Sequence, residues 1–260
     1  MEEIIRVKNL SYDRYEELLM RRDAVRKEAF KYDRAYVREF GDLILEIFQL
    51  KIECIRKKKT IEYCQAAVNR GLSVDQDQMQ EYLRQEMAAF QAQLEDMIED
   101  TENAKNAGEI TEIELLQIKK IYHRMVKKIH PDINPIVAEN EQLQELWQRV
   151  VTAYTSNDLK ELQEAEILVN KLLKQIDAGA LEIEIQNIDE KIAELEEEIK
   201  RICETDPYMY KFLLDDDEAV KEKTDSLNEE KESYEEYSSQ LDEIMTGLLG
   251  SGVSFTWRMN

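Results

Sequence analysis

Apolar residues recur at helical spacing along most of the chain, and the breaks in that rhythm are few. From Ser11 to about Arg70 one stripe runs through Tyr15, Leu18, Val25, Ala29, Tyr32, Tyr36, Leu43, Ile47, Leu50 and Cys54, which predicts a single helix on the order of 90 Å long. A helix of that length needs a partner, either later segments or a second copy of the chain. Gly41 offers a bend and Gly71 an end. Ser73 with Gln76 reads as a capping box, opening a second helix that carries Met79, Leu83, Met87, Phe90, Leu94 and Met97 and closes at Gly108. Its methionines read as core fillers.

The centre of the pattern is the stretch from Ile118 to Pro135. Thr111 with Glu114 is another capping box, and behind it Ile118, Ile121, Tyr122, Met125 and Ile129 fall on one helical face. Lys119, Lys120, His123, Arg124, Lys127 and Lys128 cover the opposite face. Pro131 must stop this helix, because proline lacks the amide hydrogen and biases His130 away from helical geometry. After Asn140 the rhythm resumes through Leu143, Trp147, Val150, Val151 and Tyr154. Two apolar stripes therefore face each other across a proline-stiffened connection, a helical hairpin with His130, Pro131 and Asp132 at its tip.

Beyond Tyr154, Asp158 and Glu161 resemble a further cap, leading through Leu159, Leu162, Val169, Leu172 and Ile176 to Gly179. Leu181, Ile185, Ile188, Ile192, Leu195, Ile199 and Ile202 then alternate four- and three-residue steps, a heptad flanked by Glu and Lys. Asp206-Pro207 breaks it as an N-cap and first helical residue, ahead of an apolar patch from Tyr208 to Leu214. A last helix, roughly Glu218 to Leu249, repeats apolar residues every seven at Val220, Leu227, Tyr234, Leu241 and Leu248. The simplest architecture is an antiparallel coiled-coil hairpin with Pro207 near its tip. The expectation is an all-α chain divided into a long helix (1–72), a helix and hairpin region (73–160, helix 74–107, hairpin 112–156), a helical coiled coil (161–249) and a flexible tail (250–260) whose Phe255 and Trp257 are free to dock.

Composition sharpens this. Seven glycines, three prolines and 35% charged residues in 260 suggest long helices rather than one large core. The net charge of −22 argues against general nucleic-acid or anionic-membrane binding. The window Leu115 to Ile129 runs against the trend with five basic residues and no acid. Arg56-Lys57-Lys58-Lys59 reads as a solvated helix face. Cys54, Cys64 and Cys203 form no metal-type spacing and no disulfide framework, so a reduced, cytoplasmic setting fits. The chain begins without a signal-peptide pattern, and no apolar run reaches membrane-spanning length. His123 and His130 alone do not make a metal site, and neither a glycine-rich loop nor a nucleophile motif is present, so neither enzyme chemistry nor a cofactor is expected.

The hairpin resembles the core of a J-domain, the module by which DnaJ-type co-chaperones engage DnaK-type heat-shock chaperones. The family's run of an apolar residue, two basics, Tyr, an apolar position, paired basics and His-Pro-Asp is matched by Ile118, Lys119-Lys120, Tyr122, Met125, Lys127-Lys128 and His130-Pro131-Asp132. Downstream, Asn134-Pro135, Trp147, Val150 and Ala153-Tyr154 match the family's continuation. The resemblance covers roughly residues 110 to 160. The family's short first helix with paired tyrosines is missing, as is its basic fourth helix; the preceding helix, through Leu94, Met97 and Ile98, is the expected cover for the hairpin.

That resemblance implies an activator rather than an enzyme. Lys119, Lys120, Arg124, Lys127 and Lys128 would steer onto an acidic chaperone surface, Asp132 would offer a carboxylate to a partner arginine, His130 a polar or packing contact, and Pro131 would hold the tip rigid, with coiled coils serving an unidentified client. The plainer reading makes the tripeptide a turn in which Asp132 and Asn134 cap the next helix. A second function class is a coiled-coil scaffold whose hairpin activates nothing. The heptads suit either a homodimer, mildly preferred, or an intramolecular hairpin. The acidic helices are also expected to fold back over Lys119, Lys120, Arg124 and Lys127 and mask them.

Overall fold

The structure, a computed structural model, describes residues 2–106, 110–134, 137, 139–176, 187–250 and 255–256. Among the described residues it is all-α apart from one pair of two-residue strands. The elements are α1 (Glu2–Asn69), β1 (Val74–Asp75), α2 (Gln76–Asn106), α3 (Glu112–Ile129), α4 (Glu141–Thr155), α5 (Leu159–Gln175), α6 (Ile188–Cys203), α7 (Tyr210–Leu214), α8 (Asp217–Gly250) and β2 (Phe255–Thr256). The chain packs as two compact units, residues 1–33 with 108–211 and residues 34–107 with 212–260. The sequence boundaries at 72 and 160 mark changes of pattern, whereas packing draws each unit from two stretches separated in sequence.

In the first unit α3 and α4 form the central hairpin. The Thr111 hydroxyl accepts from the Glu114 amide while the Glu114 carboxylate accepts from Thr111, so the capping box expected from sequence starts α3. α4 begins where the Asn140 side chain accepts from the Leu143 amide at 3.1 Å, so its cap lies beyond Asp132 and Asn134. α5 opens on the Asp158 carboxylate, which accepts from the Glu161 amide at 2.9 Å. Ile118, Tyr122, Met125, Val126 and Ile129 meet Leu143, Trp147, Val150, Ala153 and Tyr154 in one dry core with Leu162, Ala165 and Val169 of α5.

What covers this core departs from expectation. Tyr15, Leu18 and Leu19 of α1 and Leu195 and Ile199 of α6 are buried in it, whereas Leu94, Met97 and Ile98 of α2 belong to the other unit. α1 begins at Glu2, ahead of the expected Ser11, and its turns through Tyr15, Leu18 and Leu19 close the hairpin. The α6 heptad also turns inward here, with Ile188, Ile192 and Cys203 against the same core; Leu181 and Ile185 lie outside the described residues, as do Gly108 and Gly179.

The second unit is built on residues 34–69 of α1. α2 runs antiparallel to them: Gly71, at φ +66°, ends the turn out of α1, and the Asp75 carboxylate, not Ser73, caps α2 by accepting from the Gln78 amide at 3.1 Å. Gly41 does not bend α1, which stays helical through it; a Cβ there would lie 3.1 Å from Thr101 Cγ2, so glycine lets α2 approach closely. Arg34 pairs with Asp100, and the Arg38 guanidinium donates to the Ala104 carbonyl at 3.2 Å.

α8 runs parallel to α1. Phe40 and Ile47 pack with Leu227, and Cys54 and Ile61 with Leu241, so two seven-residue repeats interlock along one seam, with Val220, Tyr234 and Leu248 beside them. The Lys231 ammonium sits 2.6 Å from Glu46, and Lys57 donates to both Ser238 and Asp242 at 2.7 Å, which keeps the register. Lys57, and Lys59, which pairs with Glu86, are thus engaged rather than solvated. The antiparallel hairpin of two heptad helices is replaced by this arrangement: α6 and α8 fall in different units and each spends its apolar stripe on other helices. Pro207 follows a cis bond in the link between them, and α7 starts only at Tyr210, so Pro207 is not a first helical residue. Residues 255–256 of the tail pair in parallel with 74–75; Trp257 lies outside the described residues.

Candidate functional site

The tip of the α3–α4 hairpin is where the sequence placed its chemistry. α3 ends at Ile129, and His130 takes an extended conformation (φ −68°, ψ 124°) as the following proline requires. The His130 carbonyl accepts from the amides of Ile133 (3.0 Å) and Asn134 (2.8 Å), and the Asn134 side-chain amide donates to the Lys128 carbonyl at 2.8 Å. Ile133 is buried, which pins the turn to the core. Pro135 lies outside the described residues.

Within this turn the two polar members point opposite ways. His130 is 2% exposed, its ring edge against the Trp147 indole with centroids 4.7 Å apart. The Asp132 side chain is 44% exposed. Asp132 is therefore the group the tip presents, and His130 shapes the tip from inside rather than offering a surface contact. Burial holds the His130 imidazole well below its ordinary pKa, against the opposing pull of Asp132 and Asp23.

Behind His130 stands an aromatic and polar stack. Tyr122 lies face to face with Tyr154 (centroids 3.8 Å, 13° between planes) and near Trp147 (5.9 Å). Its hydroxyl donates to the buried Asp23 carboxylate of α1. Burial, then the Asp23 charge, pushes the Tyr122 phenol far above its usual range. Arg22 donates through Nε to Asp23 at 3.0 Å and reaches Nε2 of His130 at 3.4 Å. Sequence reading passed over Arg22 and Asp23; the available signal was an acid four residues beyond Leu19 on a stripe otherwise apolar. Lys27 lies over the Tyr154 ring, 4.0 Å from its centroid, and burial lowers it to about 8.

The basic face of α3 is split by its neighbours. Arg124 makes a two-pronged pair with Glu166 of α5 (2.9 Å), and Lys128 donates to Asn170 at 2.7 Å. On the other side Lys127 pairs with Glu16 of α1 at 2.9 Å. Lys119 and Lys120 are exposed and form no ion pair among the described residues. The masking expected over Lys119, Lys120, Arg124 and Lys127 thus takes a local form: Glu16 and Glu166 engage two of the four. His123 is half-buried, and burial with Lys119 and Lys127 nearby lowers its pKa. No cluster of three metal-ligating side chains occurs among the described residues, and no described helix is long and apolar enough to cross a membrane.

Comparison of the chain with family models, with curated proteins and with solved structures finds no match.

Proposed function

We propose that the chain is a J-domain co-chaperone that promotes ATP hydrolysis by a DnaK-type chaperone, acting through the His130-Pro131-Asp132 tip. The observation that carries this reading is the division of labour at the tip: a buried His130 packed on Trp147 fixes the turn, and an exposed Asp132 is left as the reactive contact. A carboxylate held on so constrained a turn suits a charge-assisted bond to a partner arginine, because little freedom is lost on binding. The uncovered Lys119 and Lys120, on a chain of net charge −22, supply local attraction toward an acidic partner surface. The chain itself is no enzyme in this reading; hydrolysis belongs to the partner. Its setting is the cytoplasm, where the unpaired Cys54 and Cys64 stay reduced. The second unit, with its long seam, is the part assigned to a client or to a further partner.

Binding of the full chain to a DnaK-type chaperone in ATP tests the basic face. The Lys119→Glu/Lys120→Glu variant should bind about tenfold more weakly at low salt, with the gap closing as salt rises. Equal affinity at low salt would remove the face from the mechanism. A second reading, a scaffold whose hairpin activates nothing, is favoured by the parallel seam of Phe40, Ile47, Cys54 and Ile61 with Leu227 and Leu241, which has the form of an assembly element. Absence of any binding at low salt would favour it.

A further inference from the structure

The buried face of His130 raises a question of donors and acceptors. A neutral imidazole has one N–H and one lone pair. In this structure both ring nitrogens face a donor: the Asp132 amide points at Nδ1 at 3.1 Å, and the Arg22 guanidinium, which can only donate, lies 3.4 Å from Nε2. The ring cannot accept from both, and a protonated ring can accept from neither. Two groups thus compete for one lone pair, and one of them comes from α1, 108 residues away in sequence.

We infer that Arg22, aligned by Asp23, is a positioning residue of the tip: it competes with the Asp132 amide for the His130 lone pair and so sets the tautomer of the ring and the hold that ring has on the Asp132 backbone. Asp23 is itself 6% exposed and accepts from both Arg22 and the Tyr122 hydroxyl, so the guanidinium has a fixed direction. When Arg22 holds Nε2, the ring proton sits on Nδ1, facing the Asp132 carboxylate, whose Oδ2 is 3.8 Å away. When Arg22 withdraws, Nδ1 accepts from the Asp132 amide and the turn tightens by one hydrogen bond. The exposed carboxylate of the tip is therefore aimed, through His130, by a residue of the covering helix. As a statement about the tip this stands on the geometry alone; its consequence for chaperone activation rests on the proposed function.

The experiment uses the full chain, with two readouts. Ring-nitrogen chemical shifts of His130, from long-range nitrogen–proton correlation spectra, report the tautomer, and the Asp132 amide shift reports its hydrogen bond. Arg22→Ala is expected to move the ring to the Nε2-protonated form and shift the Asp132 amide downfield; Arg22→Lys, which keeps a donor, should restore part of the wild-type pattern. Because removing Arg22 leaves the Asp23 charge buried without its ion-pair partner, the donor-free Arg22→Met/Asp23→Asn is made in parallel as a variant without that buried charge. Identical His130 and Asp132 shifts in wild type and in whichever of the two donor-free variants, Arg22→Ala or Arg22→Met/Asp23→Asn, is folded would overturn the inference. The second readout is stimulation of the ATPase of a DnaK-type chaperone. Loss of Arg22 is expected to lower maximal stimulation severalfold at an unchanged half-saturating concentration, since Lys119 and Lys120 remain. A wild-type chain that stimulates nothing defeats the proposed function while leaving the spectroscopic result to decide the role of Arg22. A wild-type chain that stimulates, beside an Arg22→Ala chain of equal maximal stimulation, defeats the role of Arg22 in activation.

Discussion

The Glu16 carboxylate lies 2.9 Å from the Lys127 ammonium, bridging the first turns of the covering helix to the last turn of the basic one. Lys127 is 62% exposed, so the pair stabilises the fold by no more than about 1 kcal/mol. Its larger effect is on the surface: it withholds a cation beside the tip.

Glu16→Gln should therefore leave the melting temperature nearly unchanged and strengthen binding to an acidic partner about two- to fivefold at low salt, an advantage that fades at high salt. Titrations against a DnaK-type chaperone at two ionic strengths check this. Equal affinity of the two proteins at both would show that Lys127 takes no part.

Which helix covers the hairpin is open to a direct test. Leu18 is fully buried against the hairpin core, so Leu18→Ala should cost about 2–5 kcal/mol in the first unit. Leu94→Ala, on α2 in the other unit, should leave the first unit's stability unchanged. Urea unfolding followed by Trp147 fluorescence, in a Trp257→Phe background, reads the first unit separately. The opposite ranking would return the cover to α2.

The buried histidine fixes a sign for pH dependence. An unfolded His has a pKa near about 6.5, and burial depresses that of His130 in the folded chain, with Asp132, Asp23 and Arg22 as the charges facing it. Below the unfolded value the unfolded state binds the extra proton, so stability falls as pH drops, by at most about 1.4 kcal/mol per pH unit until the folded pKa is reached. His130→Gln should flatten this part of the profile. Urea midpoints of the two proteins between pH 7 and 5 make the comparison, and parallel profiles would place the titrating group elsewhere.

The parallel seam is checked by zero-length carbodiimide coupling of carboxylates to lysines. Glu46–Lys231 and Lys57–Asp242 should appear as intramolecular cross-linked peptides, since both pairs are within 2.7 Å. Dominant cross-links between α6 and α8 would instead support the antiparallel hairpin expected from the heptads.

The reach of the sequence follows from what each signal specifies. Local signals held: Thr111 with Glu114 and Asp158 with Glu161 cap helices, and Ile118, Tyr122, Met125 and Ile129 are buried together, because capping and amphipathic spacing act within a few residues. Partner choice was not legible. The seven-residue repeat at Leu227, Tyr234 and Leu241 states that the helix needs a seam, and Ile47 and Cys54 on α1 meet that need as well as the heptad of α6 does. Ser73 and Asp75 are both acceptable caps, and only the turn at Gly71 decides between them. At the tip the tripeptide was plain, yet the inward turn of His130 depends on Trp147 and Arg22, which no local pattern connects.

The central claim is tested most directly by single-turnover ATP hydrolysis on a DnaK-type chaperone from the same organism, with and without the full chain, beside its Asp132→Asn variant. Asp132 is exposed and this exchange keeps its shape, so the variant should fold as the wild type does. Activation by the wild-type chain, lost in Asp132→Asn, is the expected result. Hydrolysis unaffected by the wild-type chain, or accelerated equally by both proteins, would contradict the account.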